Sequence, residues 1–216
     1  MFLTPNNEKL IVACKPTREV VQFSIKTKLI EKNYGSIHKG TITALSISAD
    51  SAILFTGDSL GHVKIISIVG KFVMKDINAI FSDIDNNKKA EKVSEPMNDW
   101  DFEMKDSQFK DDDNYDGLKI ESMVYCSSGN FLFIAGEKGF IFQFAFVNGD
   151  LTMVKKYGTK SKCCILKIKL SSDEKYLWTG DAQGFIRQLG VVEKTCIQDY
   201  GNIGGDRIKH IELFKI

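Results

Sequence analysis

The stretch ILFTGDSLGHVKII, Ile53 to Ile66, recurs later in the chain as YLWTGDAQGFIRQL, Tyr176 to Leu189. Both copies contain Thr-Gly-Asp, two variable residues, a glycine and a short apolar run. Short apolar runs bounded by turn residues predict β-strands and not helices. Whether the phrase marks a chemical site or a structural repeat depends on how regularly its surroundings recur.

Three independent markers recur with a period of roughly 44 residues, interrupted once by a further 37 or so residues. The first is the leucine that opens the phrase, which we call the anchor leucine: Leu10, Leu54, Leu132 and Leu177. The second is a Tyr-Gly phrase or its equivalent, at Tyr34, Ile77, Tyr157 and Tyr200. The third is an apolar triplet ahead of the anchor: Ile42, Leu45 and Ile47; Ile120, Met123 and Tyr125; Ile165, Ile168 and Leu170; and Ile208, Ile211 and Leu213.

Each unit is predicted to form four short antiparallel strands, which is typical of a β-propeller blade. In the second unit these strands are ITALSIS, AILFTG, HVKIISI and KFVMKDI. A tight turn between the second and third strands favours glycine, because positive φ costs little without a Cβ atom. The glycines with structural roles in the repeat are Gly61, Gly139 and Gly184 in this turn, and Gly57 and Gly180, where a small residue permits close packing.

The units resemble WD40 repeats over roughly residues 1–80 and 118–216. His38 and Gly40 match the family's histidine and glycine ahead of the first strand, and Ser48–Asp50 matches its first turn. The family's Trp-Asp pair is missing, and its turn aspartate is replaced by Leu60, Lys138 and Gln183. The resemblance implies an all-β, WD40-like propeller of about four blades, without the family's His–Ser/Thr–Asp–Trp hydrogen-bond network. Asp58 and Asp181 are interpreted as dispensable turn residues.

Two ways of completing the ring follow from the repeat. The C-terminal run RIKHIELF, residues 207–214, supplies the kind of first strand that the N-terminal unit lacks, which would close a four-bladed ring. Alternatively, the chain forms part of a larger ring, with further blades from a longer chain or another subunit. The first arrangement, sealed by strands from both ends of the chain, would leave no open sheet edge.

Residues 81–117, between the propeller parts 1–80 and 118–216, form an acidic insert with twelve acidic residues and five lysines. Its composition predicts a largely disordered loop or a docking segment for a partner. Asp112, Asn114 and Asp116 match the opening of a calcium-binding loop, but Met123 stands where the loop needs its bidentate acid. These three residues are therefore a weak calcium candidate.

The remaining features favour binding over catalysis. Five cysteines without a C-x-x-C pair indicate reduced thiols and no zinc site, and no segment is apolar enough to cross a membrane. No nucleophile, phosphate-binding or basic-aromatic motif is recognisable, so no cofactor and no nucleic acid are expected. We therefore expect a non-enzymatic, cytoplasmic scaffold for protein partners. The alternatives are an enzyme or ligand-binding propeller with a site at the central channel, and a calcium-responsive module.

Overall fold

The computed structural model describes residues 1–77, 118–158 and 163–213, which form sixteen strands in four separate four-stranded sheets. We call these sheets blades 1 to 4. Blade 1 contains β1 Phe2–Leu3, β2 Lys9–Ala13, β3 Glu19–Ser24 and β4 Ile30–Ser36. Blade 2 contains β5 Ile42–Ile47, β6 Ile53–Asp58, β7 Val63–Ser67 and β8 Phe72–Ile77. Blade 3 contains β9 Ile120–Cys126, β10 Phe131–Gly136, β11 Phe140–Val147 and β12 Asp150–Gly158, and blade 4 contains β13 Ile165–Leu170, β14 Tyr176–Asp181, β15 Phe185–Gly190 and β16 Cys196–Asn202.

Within each blade the strands are hydrogen-bonded in chain order and run antiparallel. The first strands of successive blades adjoin, β5 against β9 and β9 against β13. The prediction of an all-β propeller with about four blades of four strands is confirmed.

The repeat positions explain why these segments form strands. In blades 2, 3 and 4 the anchor leucine is fully buried in the second strand, at Leu54, Leu132 and Leu177. Each lies directly opposite the position where the WD40 family has tryptophan, occupied here by Ile66, Phe144 and Leu189. Full burial of one such apolar side chain contributes about 1.5–3 kcal/mol. Cross-strand apolar pairs therefore replace the tryptophan of the family.

Within the described parts of the chain, the apolar core consists of three clusters, each shared by two neighbouring blades. Ile11 and Val20 of blade 1 pack with Leu54 and Ile66 of blade 2. Phe55 of blade 2 belongs to a cluster with blade 3, and a third cluster joins blades 3 and 4. Burial therefore depends on the contact between blades, as expected for a repeat protein.

The predicted glycine positions lie at tight points of the backbone. Gly61, Gly139 and Gly184 have φ of 78°, 72° and 89°, and each precedes the third strand of its blade. A Cβ atom at Gly57 would lie 2.9 Å from Cγ2 of Ile120 in the next blade. Gly180 makes the equivalent contact, because a Cβ atom there would overlap the side chain of Ile208.

The expected first strand near the C-terminus is corrected by the structure. Residues 207–213 form no strand, and the first strand of blade 1 is instead β1, in which Leu3 lies opposite Leu10. Ile208 packs on blade 4, because a Cβ atom at Gly180 would lie 2.4 Å from its Cγ2 atom.

The boundaries of the acidic insert and the calcium candidates Asp112, Asn114 and Asp116 lie outside the described residues and stay predictions. Within the described ranges, no helix is long and apolar enough to span a membrane.

Candidate functional site

The candidate site lies at one end of blade 2, where several loops meet. In each blade the second strand ends and the third begins at this end, and the connection to the next blade also passes here. Asp58 is the last residue of β6, and the turn that follows it leads into β7 at Val63. The segment that links blade 1 to blade 2 contributes His38 and Gly40.

Asp58 is the hub of this end, and its side chain is fully buried. Its Oδ1 accepts hydrogen bonds from the backbone N–H groups of Leu60 and His62, both at 2.9 Å. Its Oδ2 accepts one from the backbone N–H of Gly40 at 3.1 Å. The Nδ1 atoms of His38 and His62 each lie 3.1 Å from the same Oδ2.

These contacts keep the carboxylate ionised. Burial raises the pKa of Asp58, but the hydrogen bonds donated by the His38 ring and by three backbone N–H groups outweigh it. The pKa of Asp58 therefore lies well below its ordinary value. A fixed negative charge thus holds the β6–β7 turn and the interblade link together.

His38 connects this carboxylate to the interior of the blade. Because a carboxylate only accepts, His38 Nδ1 donates to Asp58, and His38 Nε2 lies 2.7 Å from Oγ1 of Thr56. The expectation that the family's histidine network is absent is therefore wrong for blade 2. The acid lies two residues earlier than the family's turn aspartate, at Asp58 instead of Leu60, and still reaches the same histidine. In the sequence this network is indicated by His-x-Gly at His38–Gly40 followed by Thr-Gly-Asp at Thr56–Asp58. Of the four residue types in the family's network, only tryptophan is missing from blade 2.

The relay has the atom order of a nucleophilic triad, hydroxyl to imidazole to carboxylate. Thr56 and Asp58 have no exposed surface, and only 3% of His38 is exposed. A substrate carbonyl has no access to the Thr56 hydroxyl in this conformation. The arrangement is therefore suited to holding loops in place and not to acyl transfer.

Blade 4 has a related cluster around Asp181, which is also fully buried. Its Oδ1 accepts from the backbone N–H groups of Gln183 and Phe185, at 2.9 and 3.0 Å. Its Oδ2 accepts from Arg187, which also donates to Asp199 at 3.0 Å. Both aspartates stabilise the turn that follows them, and neither is the dispensable residue that the sequence suggested. Asp181 pairs with a strand arginine where Asp58 pairs with histidine.

The surface above the Asp58 cluster is apolar at its centre and basic at its side. Leu60, at the tip of the turn, is 42% exposed. The side chain of Ser59 accepts a hydrogen bond from the backbone N–H of Thr41 at 3.0 Å, which ties the turn to the interblade link. The exposed Arg18 of blade 1 donates to the backbone oxygen of Lys39 at 2.6 Å. We call Arg18, Lys39, Ser59 and Leu60 the Leu60 surface.

No group of three or more His, Cys, Asp or Glu side chains suited to a metal occurs within residues 1–77, 118–158 and 163–213. The five cysteines, Cys14, Cys126, Cys163, Cys164 and Cys196, are free thiols. Burial raises the pKa of Cys164 to about 11, and desolvation also raises the pKa of Cys126 and Cys196. These three thiols are therefore poor nucleophiles near neutral pH.

Comparison with solved structures finds propellers. The β-propeller domain of Cps50 (Swd1) from Myceliophteria thermophila aligns with a TM-score of 0.69 and 11% sequence identity, over 98% of this chain and 57% of that one. The chain has a β-propeller fold. A hydrazine synthase from Kuenenia stuttgartiensis aligns with a TM-score of 0.65 and 12% identity, over 91% of this chain and 47% of that one.

The propeller therefore spans about half the length of each of these two chains. At 11–12% identity the likeness concerns the fold alone. No protein-family model matches the sequence, and no curated protein matches it significantly.

Proposed function

We propose that this propeller is a non-enzymatic, cytoplasmic scaffold whose protein partner binds the Leu60 surface. The observation that supports this most directly is the rigid presentation of an exposed apolar side chain. Leu60 lies in a turn in which its own backbone N–H and that of His62 both donate to the buried Asp58 carboxylate. A preorganised apolar residue loses little conformational freedom when a partner covers it.

The charges beside Leu60 indicate the chemistry of the partner. Arg18 and Lys39 are both exposed, and the contact between them fixes their spacing. Lys15, in the same loop as Arg18, adds a third exposed positive charge. A protein segment with an apolar side chain flanked by carboxylates would match this surface, because complementary charge speeds association and sets orientation.

Affinity capture with matched variants tests this proposal. The wild-type chain, a K39E/L60D variant and a V69D variant are each used as bait, and the captured proteins are compared by quantitative mass spectrometry. Val69 is 72% exposed in the β7–β8 turn at the opposite end of blade 2, so V69D matches the L60D part of the double variant, an acid in place of an exposed apolar residue, away from the Leu60 surface.

We expect at least one protein to be captured by the wild type and by V69D and lost with K39E/L60D. Capture of the same proteins by all three baits, or of none, would contradict the proposal. Circular dichroism of each bait checks that the variants remain folded. The central-channel ligand and calcium hypotheses stay predictions, because no contact of the described residues favours either.

A further inference from the structure

The chain enters the acidic insert close to the Leu60 surface. The described structure stops at Ile77, shortly before the insert, and resumes at Leu118, directly after it. Ile77 lies opposite Val63 in the β7–β8 pair, and Val63 is the third residue after Leu60. Three residues span at most about 11 Å and paired strands lie about 5 Å apart, so Ile77 lies within about 16 Å of Leu60.

The return of the chain is fixed at the same end of blade 2. Leu118 is buried and belongs to the apolar cluster that also contains Val63 and Ile77. The backbone oxygen of the next residue, Lys119, accepts a hydrogen bond from the N–H of Glu137, in the turn between the second and third strands of blade 3. Both ends of the insert are therefore anchored at the end of the propeller that presents Leu60.

The sequence of the insert contains the chemistry that would match the Leu60 surface. Residues 99–104 alternate acidic and apolar side chains without a basic one: Asp99, Trp100, Asp101, Phe102, Glu103 and Met104. We call these residues, which lie outside the described part of the chain, the acidic-aromatic segment. Trp100 and Phe102 each have a carboxylate on both sides in the sequence, which complements an exposed leucine beside basic residues.

Charge favours the Leu60 surface over the corresponding turn of blade 3. The insert has a net charge of −7, from five lysines against twelve acidic residues. The Leu60 surface and its neighbour Lys15 present three exposed positive charges, those of Lys15, Arg18 and Lys39. The turn of blade 3 contains Glu137 and Lys138 and so has no net charge. The electrostatic attraction on the insert is therefore directed towards blades 1 and 2.

The length of the insert allows this contact within one chain. Trp100 is 23 residues after Ile77 and 18 before Leu118. Even 18 residues can span about 60 Å, several times the distance from Ile77 to Leu60. A ligand tethered in this way has an effective concentration of about 1 mM, so a contact with a Kd of about 0.1 mM would form in roughly nine chains of ten. At a protein concentration of about 1 µM, a second copy would supply roughly a thousandfold less ligand.

We propose that the acidic-aromatic segment binds the Leu60 surface of its own chain and competes there with the protein partner. Trp100 covers Leu60, and the carboxylates on either side of it face Arg18 and Lys39. The competition rests on the proposed function: with roughly nine chains of ten occupied, the apparent affinity for the partner falls about tenfold. The contact within the chain forms whether or not a partner exists, so the two proposals can fail separately.

Fluorescence quenching of Trp100 tests the contact. The chain has two tryptophans, so W178F leaves Trp100 as the only one. Acrylamide quenching is measured on full-length W178F, on W178F/K39E/L60D and on the matched control W178F/V69D, and circular dichroism checks that each is folded. We expect the quenching constant to rise at least about twofold with K39E/L60D, because most chains then lose the cover over the indole, and to stay unchanged with V69D.

Dilution identifies the chain that supplies the segment. Shielding of Trp100 in W178F should stay constant from about 50 µM down to about 1 µM protein, because a tethered ligand is not diluted. Shielding that disappears on dilution would place the segment on a second copy and overturn the proposal. Equal quenching in the three variants would overturn it as well.

Affinity capture tests the competition. As bait, W100S/F102S should recover at least about threefold more than the wild type of the proteins that K39E/L60D loses, because its surface is unoccupied. F109S, in the insert but outside the segment, is the control and should match the wild type. Equal recovery with W100S/F102S and F109S would overturn the competition and leave the proposed function standing. Shielded Trp100 without any captured protein would support the contact within the chain and count against the proposed function alone.

Discussion

Replacing Asp58 by asparagine tests whether the buried carboxylate holds the end of blade 2 together. The substitution keeps the shape of the side chain but turns one of its two acceptor oxygens into an NH2 donor. Oδ1 receives two backbone N–H groups, and Oδ2 receives the N–H of Gly40 and the ring of His38. At the Oδ1 position the NH2 group of asparagine faces two backbone donors; at the Oδ2 position it faces the Gly40 N–H and forces the His38 ring into its other tautomer, with the bond to Thr56 reversed.

The expected loss follows from the groups left without an acceptor. A buried donor that loses its partner costs about 1–3 kcal/mol, so two such donors cost about 2–6 kcal/mol. With a urea m-value of about 2–3 kcal/mol/M, the unfolding midpoint of D58N should fall by roughly 0.7–3 M.

Urea unfolding followed by tryptophan fluorescence and circular dichroism measures this change. D150N is the matched control, because Asp150 is exposed and its ion pair with Lys75 lies at the surface. Surface ion pairs contribute about 0–1 kcal/mol, so D150N should unfold within roughly 0.5 M of the wild type. A midpoint for D58N as close to the wild type as that of D150N would refute the role of Asp58 as a hub.

The pH dependence of the free energy of unfolding tests the role of Asp58 in a second way. The pKa of Asp58 is lower in the folded chain than its ordinary value, which is about 3.9 in an unfolded chain. Its ionised form therefore stabilises the fold fully above about pH 5, and this contribution is lost as the pH falls below about 4. The difference between wild type and D58N should be largest near pH 7 and shrink in acid. A difference that stays constant down to pH 3 would contradict the argument.

Three further substitutions or reactions test other parts of the structure. G136A should lower the free energy of unfolding in the urea assay by about 2–4 kcal/mol, because its Cβ atom would overlap the backbone oxygen of Lys119. The control G204A has open space around the new Cβ atom and should stay within about 0.5 kcal/mol of the wild type, so equal effects of the two substitutions would contradict this prediction. R187M should lower the free energy of unfolding by about 2–4 kcal/mol, since it leaves the buried Asp181 without its cation and removes a hydrogen bond to Asp199. Thermal unfolding measures this loss, with R207M at an exposed arginine as the control. Equal melting temperatures for the two variants would count against the pairing of Arg187 with Asp181. Cys164 in a C163S variant should react with iodoacetamide at pH 8 at least tenfold more slowly than free cysteine, because burial raises its pKa to about 11. In urea, where the chain is unfolded, the rate should approach that of free cysteine. Fast labelling of Cys164 in the folded chain would argue against its burial.

The strands and the period were predictable from the sequence because both depend on local patterns. An apolar run between turn residues forms a strand whatever its partner, and the anchor leucines fall in the second strand of every blade. The apolar runs of each unit correctly predicted the number of strands in each blade.

The Asp58 network was not predictable by matching positions, because the acid reaches His38 from a different place in the chain. Asp58 reaches the imidazole of His38 from the end of β6, two positions before the family's turn aspartate, and only the folded backbone shows this. The outcome for residues 208–213 was missed for a similar reason. Their triplet spacing correctly indicates a place beside blade 4, but spacing does not specify which strand pairs with it.

The three apolar clusters between blades have a consequence for how such chains change length in evolution. Blades 2 and 3 each contribute one face to the cluster before them and the other to the cluster after them, so the three junctions are of one kind. Duplication or loss of a single unit of about 44 residues would therefore add or remove one junction without altering the others. Gene duplication could lengthen this protein blade by blade, whereas an insertion inside a blade would have to preserve four strand registers at once.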